Sequence, residues 1–142
     1  MSRCNATMLR KASRHLSGMY DNALVGSGLR ATQFAILAEL NRNRDHPLLI
    51  GELARNMAMD RSTLGHNLRP LYRDGLVALA VDEDRRGRRV VLTAVGYLKF
   101  RQTMPFWEQA QQRFEALFGS DRAEQLRQLA AAVLDTDRVK TA

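Results

Sequence analysis

The sequence contains a single cysteine, Cys4, and no apolar run long enough to cross a lipid bilayer. A lone cysteine excludes a disulfide within the chain and a metal site built from several cysteines. A membrane-spanning helix needs about 20 consecutive apolar residues, and the first residues also lack the apolar run of a secretory signal. We therefore expect a cytoplasmic protein that has no membrane partner.

Residue patterns typical of catalysis are equally sparse. The three histidines, His15, His46 and His66, do not have the spacing of a metal site. The chain has no glycine-rich phosphate loop and no nucleophile next to a general base. We therefore expect a protein that is not an enzyme and that holds no cofactor.

Lysine is also scarce, because 19 of the 22 basic residues are arginine. The net charge is +7, and it is unevenly distributed along the chain. Between Arg61 and Arg89 there are seven arginines and four acidic residues, whereas the charges cancel from Asp121 to the end. Arginine forms paired hydrogen bonds with phosphates and guanine edges. The pattern favours an anionic partner, with nucleic acid the leading candidate.

The 142 residues suit one domain with a core of its own. Apolar residues at helical spacing predict helices over 6–25, 33–41, 50–57, 61–73, 94–118 and from the break at 119–121 to about 137. Thr32, Asp60 and Thr93 are expected to cap three of these helices, and Gly75 is expected to stop one. Pro105 is expected to kink the longest helix, since proline lacks the N–H donor.

Two short stretches, 76–81 and 89–92, are rich in β-forming residues and flank a charged segment that contains Gly87. This arrangement predicts a β-hairpin. The expected fold class is therefore mainly α with a small β-hairpin, which follows a pair of short helices.

The predicted helix over 61–73 has two different faces. Leu64, Leu68 and Leu71 fall within about 60° of one another on a helical wheel. The opposite side carries polar and basic residues, namely Ser62, His66, Arg69 and Arg73, with Thr63 and Asn67 at its margin. Such side chains can hydrogen-bond to base edges, although an ordinary solvated face is the alternative interpretation. The preceding short helix and tight turn favour a helix-turn-helix, and the hairpin extends it to a winged helix.

Three motifs carry a more specific resemblance: "LRATQFAILAEL", "IGELARNMAMDRSTLGHNLRPLYRDGLV" and "DEDRRGRRVVLTAVG". Together they resemble the multiple antibiotic resistance regulator (MarR) family of bacterial transcription factors. The resemblance implies a single domain over 1–142 with a winged helix-turn-helix lobe at 29–96. The segments 1–28 and 97–142 would then supply long N- and C-terminal dimerisation helices.

The resemblance also implies a function, that of a homodimeric repressor on a palindromic double-stranded DNA operator. In that family a wing aspartate holds a wing arginine that enters the minor groove, and the matching residues here are Asp84 and Arg86. Arg85, Arg88 and Arg89 are candidates for contacts with nearby phosphates. The expected DNA-binding residues are Arg61, Ser62, Thr63, His66, Asn67, Arg69, Arg73, Asp84, Arg85, Arg86 and Arg88.

Members of the family often respond to small aromatic or phenolic effectors. The candidate pocket residues are the aromatic side chains near the predicted lobes, His15, Tyr20, Phe34, Tyr72, Phe100 and Trp107, and a purely structural role is the alternative for each. Some relatives instead sense peroxides through a cysteine near the N-terminus, so redox control through Cys4 is a second hypothesis. A third is an interaction module of the same fold that does not bind DNA.

Overall fold

The computed structural model describes residues 1–81, 83–84 and 87–136, so that Asp82, Arg85, Arg86 and residues 137–142 lie outside the described part. The chain divides into two compact units, Met1–Trp107 and Glu108–Ala142. None of the described helices is both long and apolar enough to cross a membrane.

The described elements follow the order that the sequence predicts. The helices are α1 (Asn5–Leu24), α2 (Ala31–Arg42), α3 (Ile50–Asn56), α4 (Arg61–Arg73), α5 (Ala94–Phe118) and α6 (Ser120–Leu134), and a short 3₁₀ turn spans Val25–Ser27. The strands β1 (Val77–Val81) and β2 (Arg88–Leu92) pair antiparallel, with Val77 opposite Leu92 and Val81 opposite Arg88. The predicted fold class, mainly α with a small β-hairpin wing, is confirmed.

The core of the first unit is built from the apolar faces that the periodicity predicts. Phe34, Leu37 and Leu40 of α2 are almost fully buried, and so are Leu64, Leu68 and Leu71 of α4. Leu53 and Ala54 of α3 join the same cluster. Burying these side chains fixes the pair α3–α4, because apolar surface removed from water contributes about 25 cal/mol per Å².

The start of α4 forms as predicted. Oδ1 of Asp60 accepts a hydrogen bond of 2.7 Å from the N–H of Thr63, and Oδ2 accepts one of 3.0 Å from the Thr63 hydroxyl. A carboxylate at this position satisfies an N–H that lacks a partner within the helix. The prediction that Asp60 caps α4 is confirmed.

The predicted cap of α2, Thr32, is wrong. A cap at Thr32 implies a helix that starts at position 33, whereas α2 begins two residues earlier, at Ala31, and Thr32 lies within its first turn. The N–H of Ala31 donates to Oδ1 of Asp21 over 2.7 Å, and the N–H of Arg30 donates to the Gln33 side chain over 3.0 Å. The carboxylate of Asp21, ten positions earlier in the chain, therefore satisfies an N–H at the start of α2, a role that was expected of the Thr32 hydroxyl.

Both helices of the predicted helix-turn-helix end in the same way. After α4, the N–H of Gly75 donates to Tyr72 and the N–H of Leu76 to Leu71, with Gly75 at φ 72°. After α3, Ala58 takes the equivalent left-handed position at φ 51°, and Met59 donates to Ala54 over 2.9 Å. These are Schellman ends. The stop at Gly75 is confirmed, and the second stop uses an alanine.

The hairpin is fastened to the helices on both sides. The N–H of Val90 donates to the carbonyl of Leu48 over 2.9 Å, which extends β2 toward the segment before α3. The hydroxyl of Thr93 donates to the carbonyl of Gly75 over 2.7 Å and accepts from the N–H of Gly96 over 2.9 Å. Thr93 therefore caps α5, as predicted.

The two C-terminal helices differ from prediction in one detail. The helix α5 stays helical through Pro105, and the expected kink there stays a prediction. The helix α6 ends at Leu134, about three residues before the predicted end, and its last residue is followed by Asp135 as the cap. Within the second unit, the rings of Phe114 and Phe118 stack at 5.1 Å.

Candidate nucleic-acid interface

The polar face of α4 is presented to solvent because its opposite face is buried. Leu64, Leu68 and Leu71 are 0%, 2% and 1% exposed. The residues predicted for recognition, Ser62, His66, Arg69 and Arg73, are all exposed. The buried leucines thus fix the rotation of the helix and the direction in which its polar side chains point.

The predicted contact residues on α4 are of two kinds. Thr63 and Asn67 take part in the helix itself, since Thr63 donates to Asp60 and the Asn67 amide donates to the Thr63 carbonyl over 2.9 Å. Within the described part of the chain, Ser62, His66 and Arg69 make no such contact and keep their hydrogen-bonding groups available. Arg73 lies between these cases, with its Nε 3.3 Å from Oδ1 of neighbouring Asp74.

The pKa of Asp60 is lowered by its role as the cap of α4. The backbone N–H of Thr63 contributes most to this effect, followed by the Thr63 hydroxyl, and both favour the ionised carboxylate. The group is fully exposed. A negative charge is therefore retained at the start of the helix, one residue before Arg61 in the sequence.

The wing residues are only partly described. Asp84 is exposed at the hairpin tip, and Arg88 is exposed at the start of β2. Arg85 and Arg86 lie outside the described residues, so the expected pairing of Asp84 with Arg86 stays a prediction.

Arg89 makes contacts within the protein that the sequence did not predict. Its Nη1 donates to the carbonyl of Pro47 over 2.5 Å and lies 4.0 Å from Oε1 of Glu52. The side chain is about one-third exposed. This nitrogen holds the hairpin to the segment before α3, and the expected contact of Arg89 with phosphate stays a prediction.

Three of the predicted effector residues line one cavity. Tyr20, Phe34 and Trp107 contribute to a cavity of about 490 Å³ in the first unit. Phe34 stacks on Trp107 at 6.1 Å and on Phe100 at 5.4 Å. Phe100 is buried beneath this cluster, so it supports the aromatic wall.

The other two predicted effector residues lie elsewhere. His15 is exposed on α1, and it is not among the residues that line this cavity. Tyr72 is half-buried, and its hydroxyl has no hydrogen-bond partner among the described residues. Burial raises the pKa of Tyr72, and the positive charge of Arg88 only partly offsets this effect.

The cavity is also lined by polar side chains that form a network the sequence did not reveal. Glu39 and Arg42 of α2 and Asn56 of α3 all line it. Oε1 of Glu39 accepts the side-chain amides of Asn43 and Asn56, each over 3.1 Å, and Oε2 pairs with Arg42. Helical spacing placed Glu39 near Arg42 and Asn43, but no local signal linked Glu39 to Asn56, 17 positions away.

Cys4 is exposed and immediately precedes α1. Hydrogen bonds with the side chain and then the backbone of Thr7 lower the pKa of its thiol and outweigh the opposite effect of burial. Among the described residues, no group of three or more histidine, cysteine or acidic side chains is placed to share a metal ion.

The chain is similar to known transcriptional regulators. No established family model matches it. It is 31% identical to the M. tuberculosis transcriptional regulator MosR, whose structure was solved in complex with DNA; the match covers 99% of this chain and 100% of that one, with a TM-score of 0.84. A MarR-family regulator from Rhodococcus sp. RHA1 has the same fold, at 20% identity and a TM-score of 0.79 over 94% of this chain and 96% of its own. The chain belongs to the MarR family.

Another transcriptional regulator matches a smaller part of the sequence. The transcriptional activatory protein BadR of Rhodopseudomonas palustris is 37% identical over 76 residues. These residues are 52% of this chain and 43% of BadR, so the match spans less than half the length of that protein. The resemblance to the MarR family that the sequence motifs indicated is confirmed.

Proposed function

We propose that this MarR-family protein is a transcriptional regulator that binds double-stranded DNA through α4 and the hairpin, and that it acts in the cytoplasm as a repressor. The observation that carries the proposal is the exposed face of α4. Ser62, His66 and Arg69 point away from the buried leucines and have no partner among the described residues. Arginine and small polar groups at this spacing match the hydrogen-bonding edges of the major groove.

The DNA-bound form is a homodimer. In the second unit, large apolar side chains remain exposed in the single chain, with Leu117 73%, Leu129 69% and Leu134 65% accessible. Large apolar side chains left exposed on two neighbouring helices in the sequence favour an interface with a second copy. A two-fold dimer presents two copies of α4, and it therefore fits a palindrome whose half-sites lie about one DNA turn, roughly 34 Å, apart.

The effector is a small aromatic compound that enters the cavity beside Tyr20, Phe34 and Trp107. Its volume of about 490 Å³ falls within the range of roughly 300–1,000 Å³ typical of small-molecule sites. The cavity also borders Asn56 and Met57, at the end of the first helix of the helix-turn-helix. Binding there would release the repressor from its operator.

Operator binding tests the proposal directly. The affinity of the protein for a palindrome from its own upstream region is measured at several salt concentrations, and log K should fall steeply as log salt rises. Arg69→Ala should relax base preference, at about 1–3 kcal/mol for a paired base contact. Arg86→Ala should weaken operator binding and leave dimerisation unchanged. A weak affinity with a flat salt response would instead favour an interaction module that does not bind DNA.

Redox control through Cys4 is a second candidate for regulation, since its thiol is exposed and has a lowered pKa. Exposed thiols with a lowered pKa are the ones that peroxides oxidise. The test compares operator affinity with and without peroxide in the wild type and in Cys4→Ser. Peroxide should reduce the affinity of the wild type alone; equal affinities in all four samples would exclude redox control.

A further inference from the structure

A second cleft lies where α3, α4 and the hairpin meet, and its lining is strongly basic. Its volume is about 290 Å³, and its walls include Arg55 of α3, Arg61 at the start of α4 and Arg88 at the start of β2. One carboxylate, Glu52, also lines it. Three arginines from three different elements therefore share a cleft with a single acidic residue.

Two of these arginines converge above Gly51. A β-carbon placed on Gly51 would lie 3.0 Å from Nη2 of Arg61 and 4.0 Å from Nη1 of Arg55. Both guanidinium groups thus come close to the same point above the α3 backbone, and the missing side chain of Gly51 leaves room there. Like charges brought together in this way repel each other unless an anion lies between them.

Among the described residues, no carboxylate forms an ion pair with these arginines. Oε1 of Glu52 already accepts the N–H of Leu49 over 2.9 Å and faces Arg89 at 4.0 Å. Arg55 is exposed, as are Arg61 and Arg88, and none of the ion pairs in the described part of the chain involves them. The three guanidinium groups therefore stay available to an anionic ligand.

We infer that the Gly51 cleft, defined by Gly51, Arg55, Arg61 and Arg88, binds a backbone phosphate of DNA. The inference rests on the proposed function and adds Arg55 and Gly51 to the interface. Guanidinium groups bind phosphate oxygens through paired, charge-assisted hydrogen bonds. Since Arg61 directly precedes the exposed residues of α4, a phosphate held there would fix the position of that helix on the duplex. Such contacts position a protein but carry no sequence information.

The salt dependence of DNA binding tests this inference. Arg55→Gln should weaken binding to the operator and to an unrelated duplex by the same factor, and it should reduce the slope of log K against log salt by about 1. Arg55→Lys, which keeps the charge but not the fork, should retain the slope. The matched control is Arg113→Gln, which removes one charge from an exposed arginine of the second unit, and equal thermal midpoints verify folding.

The possible outcomes separate the inference from the proposed function. A steep wild-type slope that Arg55→Gln lowers more than Arg113→Gln does supports the cleft. If the wild-type slope is steep and Arg55→Gln and Arg113→Gln change it equally, the assignment of a DNA phosphate to the cleft is overturned, while the DNA-binding function still holds. A flat wild-type slope overturns both. A last outcome combines two measurements: millimolar inorganic phosphate raises the thermal midpoint of the wild type but not of Arg55→Gln, and the wild type and Arg55→Gln show the same slope of log K against log salt for DNA. In that case the cleft binds a free anion, and its assignment to a DNA phosphate is wrong.

Discussion

The side-chain amide of Asn56 donates a hydrogen bond to Oε1 of Glu39 over 3.1 Å, and this contact joins the end of α3 to the middle of α2. Glu39 also receives Asn43 and pairs with Arg42. Its carboxylate lines the aromatic cavity together with Asn56. One acidic group therefore contributes both to the position of the helix-turn-helix and to the wall of the proposed effector site.

Glu39→Gln should lower the free energy of unfolding at pH 7 by about 1–2 kcal/mol, because hydrogen bonds to a charged group are lost. Desolvation raises the pKa of Glu39, but the hydrogen bonds from Arg42, Asn56 and Asn43 and the charge of Arg42 outweigh it, so the pKa is lowered. A lowered folded-state pKa stabilises the protein above the ordinary glutamate value of 4.5, and this stability is lost as the pH falls through the folded value.

Urea unfolding of the wild type and Glu39→Gln between pH 7 and pH 3 checks this expectation. The difference in the free energy of unfolding between the two proteins should be constant near neutral pH and should become smaller below pH 4.5. Glu108→Gln, at an exposed glutamate of the second unit, is the control and should show little difference at any pH. A gap that persists unchanged to pH 3 would contradict the assigned role of the carboxylate.

Gly96→Ala should strongly destabilise the protein. A β-carbon at Gly96 would lie 1.9 Å from the carbonyl oxygen of Leu76 and 2.8 Å from a methyl group of Leu92. Since the closest atom belongs to the backbone, the start of α5 would have to move away from the hairpin, at a cost of about 3 kcal/mol or more. Thermal or urea unfolding measures the change.

Gly65→Ala is the matched comparison, because a β-carbon there meets nothing within 4 Å. Gly65 lies inside α4, where alanine is favoured over glycine by about 0.8–1 kcal/mol. The same substitution should therefore stabilise one position and destabilise the other. If both variants lost stability equally, the close approach of Gly96 to Leu76 would not be the cause.

Ala58→Gly should stabilise the protein. Ala58 has φ 51° in the turn between α3 and α4, and a left-handed conformation costs an L-residue about 1–2 kcal/mol. Glycine removes this cost, but it also makes the unfolded chain more flexible, which favours the unfolded state by about 0.4–1 kcal/mol. A net gain of about 0.5–1 kcal/mol is expected in urea unfolding, whereas a loss would mean that the methyl group of Ala58 contributes to packing.

The features that the sequence predicted depend on residues close together in the chain. The buried stripe Leu64, Leu68 and Leu71 follows from helical periodicity, and Asp60 caps the helix through an N–H only three residues away. Gly75 ends the same helix for a local reason, since glycine adopts a positive φ at little cost. The exposed face of α4 could therefore be predicted from the sequence, because its direction is the consequence of these local rules.

The features that were missed depend on contacts between distant parts of the chain. Asp21 replaces Thr32 at the start of α2 across ten positions, and Arg89 reaches Pro47 across 42. The convergence of Arg55 and Arg61 above Gly51 arises only when α3 and α4 pack together. A count of charges along the sequence grouped Arg89 with the other wing arginines. Such a count contains no information on which arginine donates a hydrogen bond to a carbonyl of the protein itself.

The thiol of Cys4 should react with iodoacetamide faster at neutral pH than the thiol of an unstructured cysteine peptide. The hydrogen bonds with Thr7 lower the pKa of Cys4 from its ordinary value of 9.0, and the thiolate is the reactive form. Thr7→Val removes the hydroxyl, which contributes most to this effect, so the pH profile of alkylation should move toward higher pH. Thr136→Val changes a threonine far from Cys4 in the sequence and should leave the profile unchanged; identical profiles for the wild type and Thr7→Val would show that Thr7 does not stabilise the thiolate.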